Sequence, residues 1–429
     1  MKKLKENTFL CFSDKAKKAI VYDMFNCKKY EMPYEIAKKI SLGNATNQDF
    51  DIINNIICDD IDDIPTFQNK KLNHLRLLVT NRCNFQCTYC FADHGSYKLD
   101  PYDMSYETAK QTIDYFFNNY DIIKSLSFFG GEPLLAIGVI EFICRYISEN
   151  YPSKIPKYSL VTNGSLLSDD IVKLLQKYNI GIIISHDGPK HIHDKQRITA
   201  HGQGTYDLVS EKIKQYKSML SISIETTYSL VHEDNGMSRR ELVSFFTNEF
   251  GIDRIILNDV ETEPRQQINN TPKTFGELEQ VQNLFIDRKY KFTDETYFLT
   301  RSYLLGKYTH QFCDADIYHY CIDMYGNIYP CHRFVGKREC IIGNIKKSRL
   351  PSGYSDIETK DNKQCQKCRY KLFCRRCFYS MKFVNPECNI IKQKVDLYLN
   401  LVLCLMMEDP DGYKNFIQSF NEYGKNHRI

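Results

Sequence analysis

The sequence lacks an apolar run long enough to cross a membrane, because the longest, ending at residues 401–405, falls short of the roughly 20 residues a spanning helix needs. It also lacks an export signal, since the basic residues 1–5 are followed by an apolar core, residues 9–12, that is far too short. The charge excess is small, with 57 Lys+Arg against 53 Asp+Glu, which argues against bulk nucleic-acid or membrane-surface binding. We therefore expect a cytoplasmic protein that binds neither a membrane nor nucleic acid.

The 17 cysteines are concentrated at two places, while residues 91–312 contain only Cys144. One group is Cys83, Cys87 and Cys90, and the other lies between residues 313 and 388. Cytosolic thiols stay reduced, so metal or redox chemistry is favoured over a disulfide framework. The solitary cysteines are interpreted as small buried hydrophobes, namely Cys11, Cys27, Cys58, Cys144, Cys340 and Cys404.

The middle of the chain alternates between strand-like and helix-like patterns. Apolar, β-branched runs predict strands at 75–80, 125–129, 158–162, 181–185, 221–226 and 254–258. Amphipathic stretches predict helices at 105–119, 134–149, 168–178, 205–219, 238–250 and 274–288. Six β/α units with short connections imply an α/β fold whose parallel sheet curls into an open barrel, with its working face at the carboxyl ends of the strands.

Polar or glycine-rich segments follow five of these strands where each strand ends. The segments are the cysteine triad, Gly-Gly-Glu-Pro at 130–133, Asn-Gly at 163–164, Ser-His-Asp-Gly-Pro at 185–189, and Glu-Thr at 225–226. A turn would explain most of them singly. Together on one rim they indicate a shared binding site.

The triad, with three and then two intervening residues, can bind three irons of a cubane cluster and leave the fourth iron without a protein ligand. Zinc is the competing metal, but a closed zinc site needs four donors and His94 is the only nearby candidate for the fourth. An aromatic residue, Tyr89, precedes the last cysteine, and the segment 130–133 follows the second strand. In both features the chain resembles the radical S-adenosylmethionine (SAM) enzymes. The fold that this resemblance implies is a partial (β/α)6, TIM-like barrel.

The resemblance implies that a [4Fe-4S] cluster on the triad chelates SAM through its free iron. The ammonium group of SAM needs acceptors, which the carbonyls of Gly130 and Gly131 and the carboxylate of Glu132 could supply. The other candidate contacts are Arg197 with Ser185 for the SAM carboxylate, Thr162, Asn163 or Asp187 for the ribose, and Glu225 and Thr226 for the adenine or sulfonium side.

The C-terminal cysteines contain Cys-x-x-Cys pairs that, taken alone, are equally typical of zinc knuckles. However, Gly326 with Cys331 five residues later, and Gly-Asn-Ile at 343–345, resemble the SPASM extension of radical SAM enzymes that act on peptides. That resemblance implies two auxiliary [4Fe-4S] clusters. By position, one would use Cys313, Cys321, Cys331 and Cys377, and the other Cys365, Cys368, Cys374 and Cys388.

This cysteine pattern departs from the family in one place, since only two residues separate Cys374 from Cys377 where three are usual. The cysteine pattern therefore supports a total of eight thiolate ligands more strongly than it supports the assignment of each cysteine to one of the two clusters. Cys321 could instead be a non-ligand, which would leave an iron open to a substrate thiolate.

The first seventy residues predict two strands, 18–25 and 27–32, and two helices, 34–41 and 48–57. Such a unit resembles the small winged-helix module that captures leader peptides in this enzyme class, and a cap on the barrel is the alternative. The expected domains are an N-terminal module (1–70), a radical SAM barrel (71–290), a SPASM domain (291–395) and a C-terminal helical segment (396–429).

If the resemblance holds, an electron donor such as flavodoxin or ferredoxin reduces the first cluster, and SAM is cleaved to a 5′-deoxyadenosyl radical. We predict an oxidoreductase that abstracts hydrogen from a ribosomally made, cysteine-rich precursor peptide with a leader and forms a thioether crosslink. Sulfatase maturation is the main alternative. That subfamily has an aspartate base after the cysteine matched by Cys331, where this chain has His332, whose imidazole could also act as a base.

Two further alternatives are an epimerase and an enzyme that forms carbon–carbon crosslinks. A different class, a zinc-binding nucleic-acid regulator, would leave the triad and residues 130–133 without a function.

Overall fold

The computed structural model describes residues 2–57, 70–260, 276–288, 290–305, 315, 318–346, 368–374, 379 and 388–427. The strands are β1 (Thr8–Ser13), β2 (Lys18–Asp23), β3 (Lys28–Met32), β4 (Lys71–Thr80), β5 (Ile122–Gly130), β6 (Lys157–Thr162), β7 (Gly181–Ser185), β8 (Ile222–Tyr228), β9 (Ile255–Asp259), β10 (His319–Ile322), β11 (Asn327–Tyr329) and β12 (Gly343–Asn344). The helices are α1 (Tyr34–Ser41), α2 (Asn47–Asn54), α3 (Tyr106–Asn119), α4 (Ile137–Asn150), α5 (Asp169–Lys177), α6 (Lys190–Gln196), α7 (Tyr206–Tyr216), α8 (Leu230–Asp234), α9 (Arg239–Phe250), α10 (Gly276–Phe285), α11 (Asp294–Leu305), α12 (Cys388–Glu408) and α13 (Pro410–His427).

The central sheet contains the six predicted strands, β4 to β9, side by side in chain order and all parallel. Helices follow each of these strands along the chain, so the predicted α/β fold is confirmed. Residues 181–185 were predicted as a strand with the same bounds that the structure gives β7. Parallel strands bring their carboxyl ends to one edge, which places the segments after β4, β5, β6, β7 and β8 on a common rim.

Serine side chains begin several of the helices, because a hydroxyl oxygen can accept a backbone N–H that the first turn leaves unpaired. Ser105 accepts from Thr108 N–H before α3, and Ser168 accepts from Ile171 N–H before α5. Ser238 and Glu241 form a reciprocal capping box at α9. These caps fix where the helices start, and thereby the lengths of the rim loops that precede them.

The sheet continues beyond the barrel in a way that the sequence did not indicate. Strand β10 pairs in parallel with β4, with His319 opposite His74 and Ile322 opposite Leu77. Strands β11 and β12 then add antiparallel pairs, which gives the order β12-β11-β10-β4-β5-β6-β7-β8-β9. The first part of the cysteine-rich region is therefore part of the same sheet as the barrel.

The N-terminal unit has three strands, so the prediction of two was wrong. The segment 9–12, considered only as an apolar core too short for a signal peptide, belongs to β1, which pairs along its whole length with β2. Both faces of this small sheet are covered. Ala19 and Val21 face α1 and α2, whereas Ile20 and Tyr22 pack with residues of α12. None of the helices within the described ranges is long and apolar enough to cross a bilayer.

Candidate functional site

An open cavity of about 550 Å³ lies at the carboxyl ends of the barrel strands. Eleven of the residues predicted from the sequence line it: Cys83, Cys87, Cys90, Gly130, Gly131, Thr162, Asn163, Ser185, Arg197, Glu225 and His332. The rim segments after β4, β5, β6, β7 and β8 therefore do meet in one place. Glu132, Asp187 and Thr226 lie behind the cavity wall.

The cysteine loop is held against the glycine-rich segment by backbone contacts that only glycine permits. Gly131 N–H donates to Thr80 O at 3.0 Å, and Glu132 N–H donates to Arg82 O at 2.8 Å. A Cβ atom on Gly131 would lie 2.2 Å from Arg82 O, and one on Gly130, whose φ is +149°, would lie 2.1 Å from Thr80 O. The glycines thus let the backbone approach the loop that presents Cys83.

The three cysteines are suited to an iron–sulfur cluster by their chemistry and their surroundings. Burial raises the pKa of Cys83 to about 12 and that of Cys87 to about 11, so thiolates here need a compensating cation. Phe85 N–H points at Cys83 Sγ, 3.4 Å away, as a donor to a thiolate would. Within the described ranges, no three His, Cys, Asp or Glu side chains converge on one metal ion. Thiolates that bind three different irons of a cluster do not need to converge.

Glu132 joins two rim segments and does not face the cavity, which corrects its expected contact with an ammonium group. Its carboxylate is fully buried and accepts from Thr162 Oγ1 at 2.5 Å, Asn163 N–H at 2.7 Å and Leu134 N–H at 3.1 Å. Burial raises the pKa of Glu132 to about 7, against these hydrogen bonds. The side chain therefore ties the end of β5 to the end of β6.

Asp187 is likewise an internal support and not an exposed ribose contact. Its carboxylate, 0% exposed, accepts from Arg197 Nε at 2.9 Å, from Arg197 Nη2 at 3.2 Å and from Tyr89 Oη at 2.5 Å. Thr227 N–H donates to the same carboxylate at 3.2 Å. Arg197, which does line the cavity, is held there by Asp187 together with the tyrosine of the cysteine loop.

Strand periodicity explains the position of Thr226. Successive side chains of a strand point to opposite faces, so Glu225 and Thr226 cannot both face the cavity. Glu225 and Thr227 line it, whereas Thr226 is 0% exposed on the other face and its hydroxyl has no hydrogen-bond partner in the described part of the chain. Burial raises the pKa of Glu225, against the opposing charges of Arg76 and Arg197.

His332 lies in the cavity beside a residue that sequence reasoning missed, Arg76 of β4. Arg76 Nη1 donates to His332 Nδ1 at 2.7 Å, and Arg76 Nε donates to Ser127 Oγ at 3.0 Å. Burial and then the charge of Arg76 lower the pKa of His332 well below its usual value. The imidazole is therefore neutral.

Other lining residues that were not predicted include Phe85, Phe91, Thr227, Asn258, Asp259 and Arg333, and Tyr89 was named only as part of the cysteine motif. Arg76 and Thr227 could have been found from the two-residue period, since the residues on either side of each are buried. Asn258 and Asp259 end β9, the one strand end that the sequence analysis did not include in the rim.

The C-terminal cysteines are only partly described. Cys321 lies on β10 and is 0% exposed, and Cys331 is buried just before His332. Cys368 and Cys374 are half-buried, and Cys388 is exposed at the start of α12. Cys313, Cys365 and Cys377 lie outside the described residues, so the two four-cysteine sets stay predictions.

Comparisons with known proteins agree with the site. Residues 77–246 match the model of the Radical SAM superfamily. A cysteine-type anaerobic sulfatase-maturating enzyme of Clostridium novyi is 26% identical over 344 residues, which are 71% of this chain and 87% of that enzyme. The radical SAM cyclopropyl synthase TigE of Paramaledivibacter caminithermalis is 31% identical over 193 residues, 42% of this chain but only 38% of the length of TigE.

The crystal structure of Streptococcus suis SuiB bound to precursor peptide SuiA shares the fold, with a TM-score of 0.52 at 16% identity over 90% of this chain and 97% of SuiB. The matched segment 77–246 begins within β4 and ends within α9, and so contains the cysteine loop, the glycine-rich segment and Arg197. The chain is an enzyme with a Radical SAM domain at residues 77–246.

Proposed function

We propose that this enzyme modifies a ribosomally made, cysteine-rich precursor peptide and joins a cysteine sulfur to a carbon in a thioether. The support for a peptide or protein substrate comes from relatives that match most of the chain, the sulfatase-maturating enzyme and SuiB with its precursor peptide. The observation that carries the proposal is the open cavity, which the three cysteines line together with the glycine-rich segment and Arg197.

Cys83, Cys87 and Cys90 would hold the [4Fe-4S] cluster, with Gly130, Gly131, Ser185 and Arg197 around bound SAM. When bound, the cluster and SAM supply the radical that removes hydrogen from a substrate C–H bond. Arg197 is oriented for a carboxylate by its two hydrogen bonds to Asp187. Aromatic side chains cover the walls of the cavity and limit the access of water to the reacting atoms: Phe85, Tyr89, Phe91, Tyr97 and Phe129.

Sulfatase maturation is the second candidate, since that relative covers 71% of this chain. A general base at His332 is disfavoured by its hydrogen bond. Arginine can only donate, so His332 Nδ1 must be the acceptor, and in the neutral ring Nε2 then carries the hydrogen. The nitrogen left for the cavity is a donor. We therefore favour a reaction in which His332 accepts no proton.

We also propose that the C-terminal cysteines hold two auxiliary [4Fe-4S] clusters in a SPASM domain, and that the N-terminal unit binds the leader. The buried position of Cys321 and Cys331, next to the barrel sheet, supports a metal site close to the cavity. A reduced flavodoxin or ferredoxin would supply electrons. The domain boundaries at residues 70, 290 and 395 stay part of this proposal.

Anaerobic purification with iron and zinc quantification tests the cofactor assignment. The full chain should bind iron and form 5′-deoxyadenosine from SAM under a strong reductant. Cys87→Ala should lose that product while keeping the auxiliary iron, and Cys144→Ala, a buried cysteine of α4 outside the site, should behave like wild type. Bound zinc without iron, or unchanged product formation in Cys87→Ala, would refute the assignment.

Mass spectrometry tests the thioether. The probe is the peptide encoded by any short cysteine-rich reading frame beside the gene. One crosslink removes the S–H and one C–H hydrogen, so the peptide should lose two hydrogens and one alkylatable thiol. A product that keeps every thiol, whether epimerised or joined through carbon, would contradict the proposal.

A further inference from the structure

The side chain of Arg76 points into the barrel because of the two-residue period of β4. Its neighbours Leu75 and Leu77 are both 0% exposed on the other face, and Arg76 lines the cavity. The guanidinium is fixed by hydrogen bonds to Ser127 and His332 and lies over the Phe129 ring, 4.8 Å from its centroid. Three contacts in different directions leave the group little freedom, so it is preorganised.

The partners of Arg76 among the described residues are the uncharged side chains of Ser127, His332 and Phe129, which is unusual for a partly buried arginine. The two buried arginines in the described part of the chain both have carboxylate partners: Arg197 pairs with Asp187, and Arg239 pairs with Asp259 and Glu279. Within the described ranges, no carboxylate lies within 4.0 Å of Arg76. A cation that faces a cavity without a counter-charge is suited to an anion from outside the chain.

His332 adds a second donor beside the guanidinium. Because its Nδ1 accepts from Arg76, its Nε2 carries the hydrogen, and in the described part of the chain no acceptor takes that hydrogen. The imidazole is held edge-on between Phe91 and Phe129, with ring centroids 5.7 Å and 5.1 Å away. This corner of the cavity thus offers donors and apolar walls, which is a combination that favours a carboxylate.

The other charged groups that line the cavity have partners among the described residues, and Arg197 is in addition assigned to bound SAM. Glu225 accepts from Asn258 Nδ2 at 3.1 Å, and Arg197 is paired with Asp187. Arg333 lies over the Tyr379 ring, 4.4 Å from its centroid. Of these groups, Glu225 is the one that the charge of Arg76 stabilises as an anion, but the two side chains form no salt bridge in the described part of the chain.

We propose that Arg76 and His332 form a subsite that binds a carboxylate of the substrate peptide and so places the neighbouring residue for hydrogen abstraction. The inference rests on the proposed function, because it presumes a peptide in this cavity. The carboxylate belongs either to an Asp or Glu side chain or to a peptide C-terminus. Among the described residues, no acceptor takes the two N–H donors on Arg76 Nη2, and with His332 Nε2–H they are the donors that the two oxygens of a carboxylate would use.

The test compares matched peptides on the full-length, iron-loaded enzyme under anaerobic conditions with saturating SAM. N-acetyl-Gly-Asp-Gly-amide against its Asn analogue probes a side-chain carboxylate, and N-acetyl-Gly-Gly-Gly as free acid against its amide probes a C-terminus. Ligand-observed NMR gives each dissociation constant. Wild type should prefer the carboxylate member of one pair by about tenfold or more, and that pair identifies the source.

In Arg76→Gln the ratio of the two dissociation constants should fall to near one. Arg76→Lys should keep part of the preference, since lysine retains the charge but not the planar guanidinium group. Arg240→Gln, at an exposed position of α9, should keep the wild-type ratio. Because each ratio is measured within one protein sample, a change in the folded fraction does not affect it.

Three results would overturn the proposal: no discrimination in wild type within either pair, a ratio that persists in Arg76→Gln, or a loss of SAM affinity in Arg76→Gln that equals the loss of peptide preference. The last would assign Arg76 to the cofactor. Absence of 5′-deoxyadenosine from wild type would instead refute the proposed function, whatever the binding ratios.

Discussion

The carboxylate of Asp187 holds the guanidinium of Arg197 by two hydrogen bonds, at 2.9 Å and 3.2 Å, and both groups are buried. The same carboxylate accepts from Tyr89 Oη at 2.5 Å, so it also ties the cysteine loop to the end of β7. A single anion therefore positions a cavity cation and the loop that would carry the cluster.

Asp187→Asn should destabilise the protein strongly, because it leaves the buried charge of Arg197 unpaired. Removing one partner of a buried ion pair costs about 3–5 kcal/mol. The free energy of unfolding from urea titration measures this cost. Asp170→Asn, which alters an ion pair whose aspartate side chain is 96% exposed, is the control and should cause no measurable change. Equal stability of the two variants would show that Asp187 is not the counter-charge of Arg197.

Gly131→Ala should displace the cysteine loop, because the new Cβ would lie 2.2 Å from Arg82 O. We expect a loss of about 1–3 kcal/mol of stability and less iron bound per chain. Gly181→Ala is the matched control, since its Cβ would meet its nearest neighbour, Tyr158 O, at an ordinary 3.7 Å. Iron content and stability equal to wild type in Gly131→Ala would mean that the loop is not held by this contact.

Stability should fall as the pH is lowered from about 6.5, in part because of His74. Burial and then the charge of Arg76 lower the pKa of His74 to about 3, below the value near 6.5 of an unfolded chain. Between these values the unfolded state binds the extra proton, so the contribution of His74 to stability is complete above pH 6.5 and is lost as the pH falls towards 3.

His74→Gln should therefore reduce the number of protons taken up on unfolding at pH 5 by about one. The slope of the unfolding free energy against pH measures this number. His201→Gln, at an exposed histidine, should leave the slope unchanged. A slope in His74→Gln equal to that of wild type would place the titration elsewhere.

Oxidation should link Cys11 of β1 to Cys404 of α12, whose sulfur atoms are 3.8 Å apart. The contact raises the pKa of Cys11 and lowers that of Cys404, so Cys404 is the better nucleophile. Diamide takes up the two electrons and two protons, and a tryptic digest should then contain the crosslinked peptides. Cys404→Ser should abolish the link and Cys144→Ser should keep it. A wild-type digest without the link would contradict the close approach of β1 and α12.

The barrel could be predicted from the sequence because its signals are local. Each strand from β4 to β9 is an apolar run with polar residues at its end, and Ser105 and Ser168 mark helix starts. The pairing of β10 with β4 has no such signal, because it joins segments more than 240 residues apart through backbone groups. Strand β1 was missed since a short apolar run such as 9–12 has no distinctive period.

The candidate site was predictable as a set of segments but not as a set of side chains. The sequence indicated that the segments containing Glu132, Asp187 and Thr226 lie on the common rim, but it did not indicate whether each side chain faces the cavity. The two-residue period of the strands would have predicted Thr227 instead of Thr226 as a cavity residue, and it would also have predicted Arg76. The engagement of Glu132 by Thr162 depends on burial and on contacts across the sheet, which one sequence does not encode locally.

The pairing of β10 with β4 also bears on how this protein can be divided. A fragment that ended after β9 would leave the outer edge of β4 with unsatisfied N–H and C=O groups, which is a template for fibrous or amorphous association. We therefore expect that the domain with β4 to β9 cannot be produced as a stable fragment without the cysteine-rich segment that contributes β10. Chimeras with related radical SAM enzymes would have to exchange both parts of the sheet together.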